Sequence, residues 1–159
     1  MFRSMRRPHL ALTEAETWAL LEHTAYGVLA INGTEGYPYA VPMNHAVING
    51  ALVFHAAVEG HRLEALRVDP RACFTVTEGP EENAGAIPTG TLGTYASAMV
   101  FGRVCELPPE QQGEALTAFV RKHLPERVGE VAQFLDSGRK VAVLRLDVAF
   151  ISGKRLVVK

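Results

Sequence analysis

The chain has 159 residues, 48% of them hydrophobic and 21% charged. That length and balance fit one globular domain burying roughly 68–70% of its unfolded surface, with no metal or disulfide needed to hold it together. Sixteen Lys and Arg against seventeen Asp and Glu leave a formal net charge of −1, which excludes a global bias toward nucleic acid or acidic membranes.

Residues 1–10 read as an N-terminal extension in which the arginines between Arg3 and Arg7 form a solvated tail. Thr13 with Glu16 three positions on is a capping-box pattern, and Trp18, Leu21 and Ala25 mark one face of a helix over about 13–25. Tyr26–Ile31 and Tyr37–Pro42 flank the turn-forming run 32–36 and predict a hairpin. Pro38 and Pro42 cannot donate to a ladder, so the second strand belongs at an edge or at a bulge. Asn49-Gly50 between 45–48 and 51–54 suits a two-residue type I′ turn.

A short helix is expected from His61 to Val68, ending before Asp69-Pro70, and Arg71–Thr77 alternates like a strand. Residues 78–93 read as a long surface loop, mobile or a lid, in which Glu81-Glu82 is a solvated run. Tyr95–Glu106 is a long strand. Helices over 109–123 and 126–135 follow, divided by Pro125, and the first carries Leu116, Phe119 and Val120 on its apolar face. Lys140–Ser152 closes the chain as a strand. Many short strands without a βαβ rhythm make the fold class mainly β with peripheral helices, an antiparallel barrel in a single domain over 1–159.

Cys73 and Cys105 sit in apolar alternating runs and read as buried small hydrophobes, not a disulfide, in keeping with a reducing compartment. No segment reaches the roughly 18 consecutive apolar residues of a membrane span, and no apolar leader follows the first arginines. The expectation is a cytoplasmic protein with neither nucleic acid nor membrane as partner.

The most informative stretch is 54–66, where a strand ends in His55-Ala56-Ala57, turns at Gly60 and begins a helix with His61 and Arg62. Backbone N–H groups at a helix start, beside a guanidinium, make a phosphate site. Arg62 could equally pair with Glu59 or Glu64, and His55 could be a hydrogen-bonded histidine at a barrel rim. In the upstream run Pro42-Met43-Asn44-His45, Asn44 and His45 have polar atoms to offer a heteroaromatic ring, or serve turn and edge duties. Tyr95 and Ser97, two apart, share one strand face as an aromatic wall and a hydroxyl donor, or simply as a half-buried strand. None of the six histidines has helical i, i+4 or strand i, i+2 spacing, so no metal site is expected. Neither Gly-x-Gly-x-x-Gly after a strand nor Gly-x-Ser-x-Gly occurs, which removes Rossmann dinucleotide binding and serine hydrolysis.

Six segments, 27–30, 36–42, 54–62, 73–76, 95–102 and 152–154, together resemble the pyridoxamine-phosphate-oxidase-like FMN-binding split barrels. The branch they most resemble contains flavin-nucleotide-binding proteins related to nitroimidazole-resistance (Nim) proteins. The resemblance runs from Met5-Arg6-Arg7 almost to the C-terminus and implies a homodimer of six-stranded split barrels with FMN in the cleft between subunits. It implies that His55 lies at the active centre near the flavin and that Ala56, Ala57, Gly60, His61 and Arg62 approach the cofactor, the last three at its phosphate. Pro42 to His45 would border the isoalloxazine, and Tyr95 with Ser97 would contribute near the partner subunit. The implied activity is that of an oxidoreductase whose reduced FMN reduces a small electron acceptor such as a nitroaromatic or a quinone. The alternatives are a flavin-binding sensor without turnover and a split barrel holding haem or deazaflavin. The chain departs from its relatives in Arg62 where lysine is frequent, His45 where tyrosine is common and Ala98 where valine is frequent.

Overall fold

The computed structural model describes residues 2–79, 94–138 and 140–157. Apart from Glu78 and Gly79, the expected loop over 78–93 lies outside the described residues. Helix α1 (Glu14–His23) starts from a complete capping box: Thr13 Oγ1 accepts from the Glu16 N–H at 3.2 Å, and the Glu16 carboxylate accepts from the Thr13 N–H at 2.8 Å. The helix buries Thr17, Leu20 and Leu21. Trp18 is only half-buried and Ala25 lies past the helix end, so the expected face is rotated and shorter.

Strands β1 (Tyr26–Asn32) and β2 (Pro38–Asn44) form the first hairpin, and β3 (Ala46–Ile48) and β4 (Ala51–Ala56) the second. Asn49 and Gly50 both have positive φ, 49° and 74°, as a type I′ turn requires. Helix α2 (His61–Val68) leads to β5 (Arg71–Glu78), and β6 (Tyr95–Glu106) precedes α3 (Pro109–His123). The expected helix over 126–135 is a 3-10 segment, Pro125–Glu130, followed by a short α4 (Val131–Asp136); β7 (Ala142–Leu156) ends the order.

All strand pairs are antiparallel, in one sheet ordered β2-β1-β5-β6-β7-β4-β3. The seventh strand, against the six expected, has a simple origin. The two edge strands β2 and β3 are consecutive in sequence, separated by His45 alone, so one bent strand serves both edges and curls the sheet into a barrel. Pro38 and Pro42 sit in β2, paired to β1 only, where a missing N–H costs no ladder bond.

Leu29, Leu52, Phe54, Phe74, Val100, Leu144 and Leu146 fill the interior. Strand β4 is buried on both faces: Leu52 and Phe54 point into the barrel, while Val53 packs outward beneath α3 with Leu116 and Phe119. Cys73 and Cys105 are free and only partly buried, not core residues. Each lies on the strand face opposite the inward Phe74 and Val104, so the alternation that suggested burial is real but its phase puts the thiols outside.

The N-terminal extension is not a free tail. Phe2 stacks on Phe150 at 4.7 Å between centroids, Ala11 bridges Lys154, and the Leu12 N–H donates to the Gly153 carbonyl at 2.9 Å. The arginines themselves are exposed, as expected.

A register shift between Phe101 and Gly102 bulges β7 against β6. A Cβ at Gly102 would collide with the Asp147 carbonyl, which is backbone and cannot swing away. Gly102→Ala should therefore destabilise the fold by about 1–3 kcal/mol, read as a lower urea midpoint.

Candidate functional site

Strand β4 ends at Ala56, which is buried, and the chain then passes Ala57, which is exposed, before the turn at Gly60. Gly60 has φ of 117° and no neighbour crowds its Cβ position, so backbone conformation alone calls for glycine there. Its carbonyl accepts from the Leu63 and Glu64 N–H groups at 3.0 and 3.2 Å, and no side chain caps the start of α2. His61 and Arg62 thus occupy an uncapped first turn, where the helix dipole is positive.

Arg62 leans on β2, its Nη1 3.4 Å from the buried Met43 sulfur. Its Nε is buried and makes no hydrogen bond, and among the described residues Arg62 forms no ion pair with Glu59, Glu64 or any other carboxylate. His61 turns the other way, packing on Tyr39 at 4.8 Å with Nε2 3.5 Å from Glu35 in the first hairpin loop.

His55 continues the outward row of Val53 and emerges at the rim of the layer covered by α3. Its ring meets Phe119 edge-on at 4.8 Å and 85°. Partial burial, then the positive charge of Arg62, then that of His123, push its pKa below the usual imidazole value. The ring is therefore neutral near pH 7, with one nitrogen to donate and one to accept. His123 packs on Phe119 at 4.6 Å, and its Nε2 donates to the His45 carbonyl at 2.8 Å.

His123 and Lys122 were not singled out by the sequence. They end α3 within the basic run Arg121-Lys122-His123, which reads as a favourable helix C-terminus, and their partner His45 lies more than seventy positions away.

His45 is fully buried, at 0% exposure, and so has no surface to offer a ligand. Its Nε2–H donates to the Leu21 carbonyl at 2.7 Å, which the Lys122 ammonium also reaches at 3.0 Å. Burial, with Lys122 beside it, pushes the His45 pKa down to about 4, and burial lowers Lys122 to about 8. Of the four residues 42–45, only Pro42 and Asn44 are exposed; Met43 points inward. Asn44 donates to the Ala25 carbonyl at 3.3 Å.

Tyr95 and Ser97 do share a face of β6, as expected. Tyr95 is largely buried with the Lys154 ammonium 5.2 Å from its ring centre. Ser97 pairs with Lys154 near one end of β7, whereas His55 pairs with Val143 near the other. That separation is roughly 35 Å along the strand at the usual rise per residue, so a single chain does not bring the two halves of the expected site together. Among the described residues no group of three or more His, Cys, Asp or Glu side chains is placed to hold a metal ion. No helix among them is long and apolar enough to cross a membrane.

The curled antiparallel sheet with its flanking helices is a fold shared with known proteins. A family model described as pyridoxamine 5'-phosphate oxidase covers residues 13–155. The chain belongs to that family. The match takes in all seven strands but for the last residue of β7, and it reaches beyond the barrel to α3 and α4.

Solved structures share the oxidase-family fold at low identity. A candidate 5-nitroimidazole antibiotic resistance protein of Bacteroides thetaiotaomicron is 22% identical with a TM-score of 0.73, over 92% of this chain and 86% of its own. An FAD-binding protein of Mesorhizobium loti is 24% identical with a TM-score of 0.62, over 92% and 96%. An FAD- and haem-binding protein of Mycobacterium smegmatis is 20% identical with a TM-score of 0.70, over 89% and 70%. No curated protein matches the chain in sequence.

In this family member the low pKa of His45 has a direct consequence for stability. Between pH 6.5 and about 4 the unfolded chain takes up a proton that the buried ring refuses. Stability from this group is complete above pH 6.5 and falls as the pH drops toward 4, by at most about 1.4 kcal/mol per pH unit. Urea midpoints across that window should fall less steeply in His45→Gln than in the parent.

Proposed function

We propose that this protein binds FMN and uses it as an oxidoreductase to reduce a small acceptor. The observation that carries the reading is Arg62, a guanidinium in the uncapped first turn of α2 with a buried, unpartnered Nε and no carboxylate beside it. A buried N–H without an acceptor is costly, and a phosphate oxygen supplies both the missing acceptor and the missing negative charge. The terminal phosphate of FMN suits a site made of one arginine and one helix start. Two structural relatives are FAD-binding proteins, one of them also haem-binding, which supports a flavin-type ligand.

In this reading Arg62 and the Gly60–His61 turn hold the phosphate, and Met43 positions Arg62. Pro42 and Asn44, on the exposed side of β2, border the ring system, and the small Ala56 and Ala57 leave room for it. His55 is neutral and flanked by cations, so it can hold a proton at one ring nitrogen and hydrogen-bond an acceptor at the other. The bound flavin supplies the electron-transfer chemistry, while these residues bind, orient and shield.

A homodimer completes the site, because Tyr95 and Ser97 stand at the far end of β7 from His55 and a second copy can bring its own pair to the first copy's Arg62. The outer sheet face supports such pairing. It presents Tyr26 and Met99, at 68% and 42% exposure, beside the partly buried Phe101 and Phe150.

A visible spectrum of the purified protein tests the cofactor. A flavin double band with FMN released on denaturation is expected; a Soret band would replace flavin with haem, and a colourless protein that FMN cannot reconstitute would remove the reading. Arg62→Ala should weaken FMN binding by about 1.5–3 kcal/mol in a fluorescence titration, with Arg62→Lys in between, and unchanged affinity would remove the phosphate role. His55→Ala should keep its flavin yet slow reduction of a nitroaromatic or quinone acceptor about 10²-fold or more; normal turnover would leave His55 a structural residue.

A further inference from the structure

A second cavity, of about 310 Å³, opens on the other side of His55, between the end of β4 and the segments α3, Pro125–Glu130 and α4. Leu116, Phe119, Val120, Val131, Phe134 and Val141 form its walls. Its charged residues are Arg127 and Glu130, which bind each other at 2.8 and 3.0 Å and so present no net charge to a ligand. His55 is the one other polar side chain in the lining, and its ring nitrogens have no hydrogen-bond partner among the described residues. Phe119 holds the imidazole edge-on, which limits its rotation.

We propose that this cavity binds a small neutral aromatic molecule of one or two fused rings carrying a single hydrogen-bonding oxygen, which His55 engages. The size falls in the range of ligand pockets, the walls are aliphatic and aromatic, and one polar group sets orientation. A charged ligand would have to lose water without meeting an opposite charge among the described lining residues, since Arg127 and Glu130 already satisfy each other. The site stands on its lining alone. Its use as the acceptor pocket rests on the flavin reading, and would make uncharged nitroarenes and quinones preferred over carboxylated or sulfonated ones.

Calorimetric titration of the full chain, as purified, with 2-naphthol tests the proposal, with naphthalene and 2-naphthoate as comparison ligands. Binding of 2-naphthol is expected, with 2-naphthoate weaker. Val120→Trp, which fills the cavity from a partly exposed position, should weaken 2-naphthol roughly tenfold or more while flavin absorbance and the urea midpoint stay unchanged. Leu124→Trp, at the exposed mouth, serves in its place should that variant fail to fold. His55→Phe should weaken 2-naphthol by about three- to tenfold and leave naphthalene unaffected. Absence of 2-naphthol binding, tighter binding of 2-naphthoate, or affinity untouched by the tryptophan substitutions would overturn the proposal. Flavin content separates the two readings. A colourless protein whose 2-naphthol binding responds to Val120→Trp keeps the cavity site and loses the flavin. A flavin-loaded protein that binds no 2-naphthol keeps the flavin and loses the cavity site.

Discussion

A single buried residue, His45, separates the two edge strands of the sheet, and its hydrogen bonds to α1 and α3 hold the corner shut, with the ring Nδ1 left without a partner among the described residues. Its ring donates to the last turn of α1 through the Leu21 carbonyl, and its own carbonyl accepts from His123 at the end of α3. An unpaired imidazole or carbonyl at that depth would cost a kilocalorie per mole or more, so the corner, α1 and α3 are coupled. The corner therefore ties the end of α3, which Pro125 sets, to the closed barrel. The end of α3 in turn places Phe119 and His123 against His55.

This coupling gives the site its electrostatic character. Arg62, His55, His123 and Lys122 gather around the junction of β4, α2 and α3, and among the described residues no carboxylate pairs with Arg62, whereas Arg71, Arg127 and Arg145 each hold one. Burial first, and nearby positive charge second, lower the pKa of both His55 and His45 and keep them neutral at ordinary pH. It also leaves Arg62 without a counter-charge, which makes an anionic ligand the natural complement. The apolar cavity behind His55 has the opposite character, with Arg127 and Glu130 of its described lining paired to each other. One histidine thus stands between a place suited to an anion and a place suited to a neutral ring.

Much of the fold was legible because local chemistry and long-range packing agree. Thr13 and Glu16 announced the start of α1, Asn49-Gly50 the tight hairpin, Pro38 and Pro42 an edge strand, and the Gly60 turn the start of α2; each is a short-range signal with a steric or hydrogen-bonding cause. The errors came where phase or partner decides. Cys73 and Cys105 alternate correctly but face outward, and alternation alone does not say which side is the core. The arginine-rich start is exposed as a set of charges, yet Phe2 anchors it to Phe150 across almost the whole chain, a contact no local pattern encodes. The family resemblance places His45 with residues 42–44 at the flavin ring; that it faces inward follows from the bend between β2 and β3.

By itself the sequence determined the element types, their order, the glycine at the strand-to-helix turn and the presence of an arginine just beyond it, since these follow from backbone preference and spacing over a few residues. Tertiary structure decided which of the candidate residues meet. It brought Arg62 to Met43 and His55 to Phe119, sent His61 toward Glu35, hid His45, and set Ser97 and His55 at opposite ends of β7. Those outcomes depend on the register of antiparallel strands and on the single-residue corner that closes the sheet. A register is a relation between distant segments, fixed by packing both faces at once, and no window along the chain contains it.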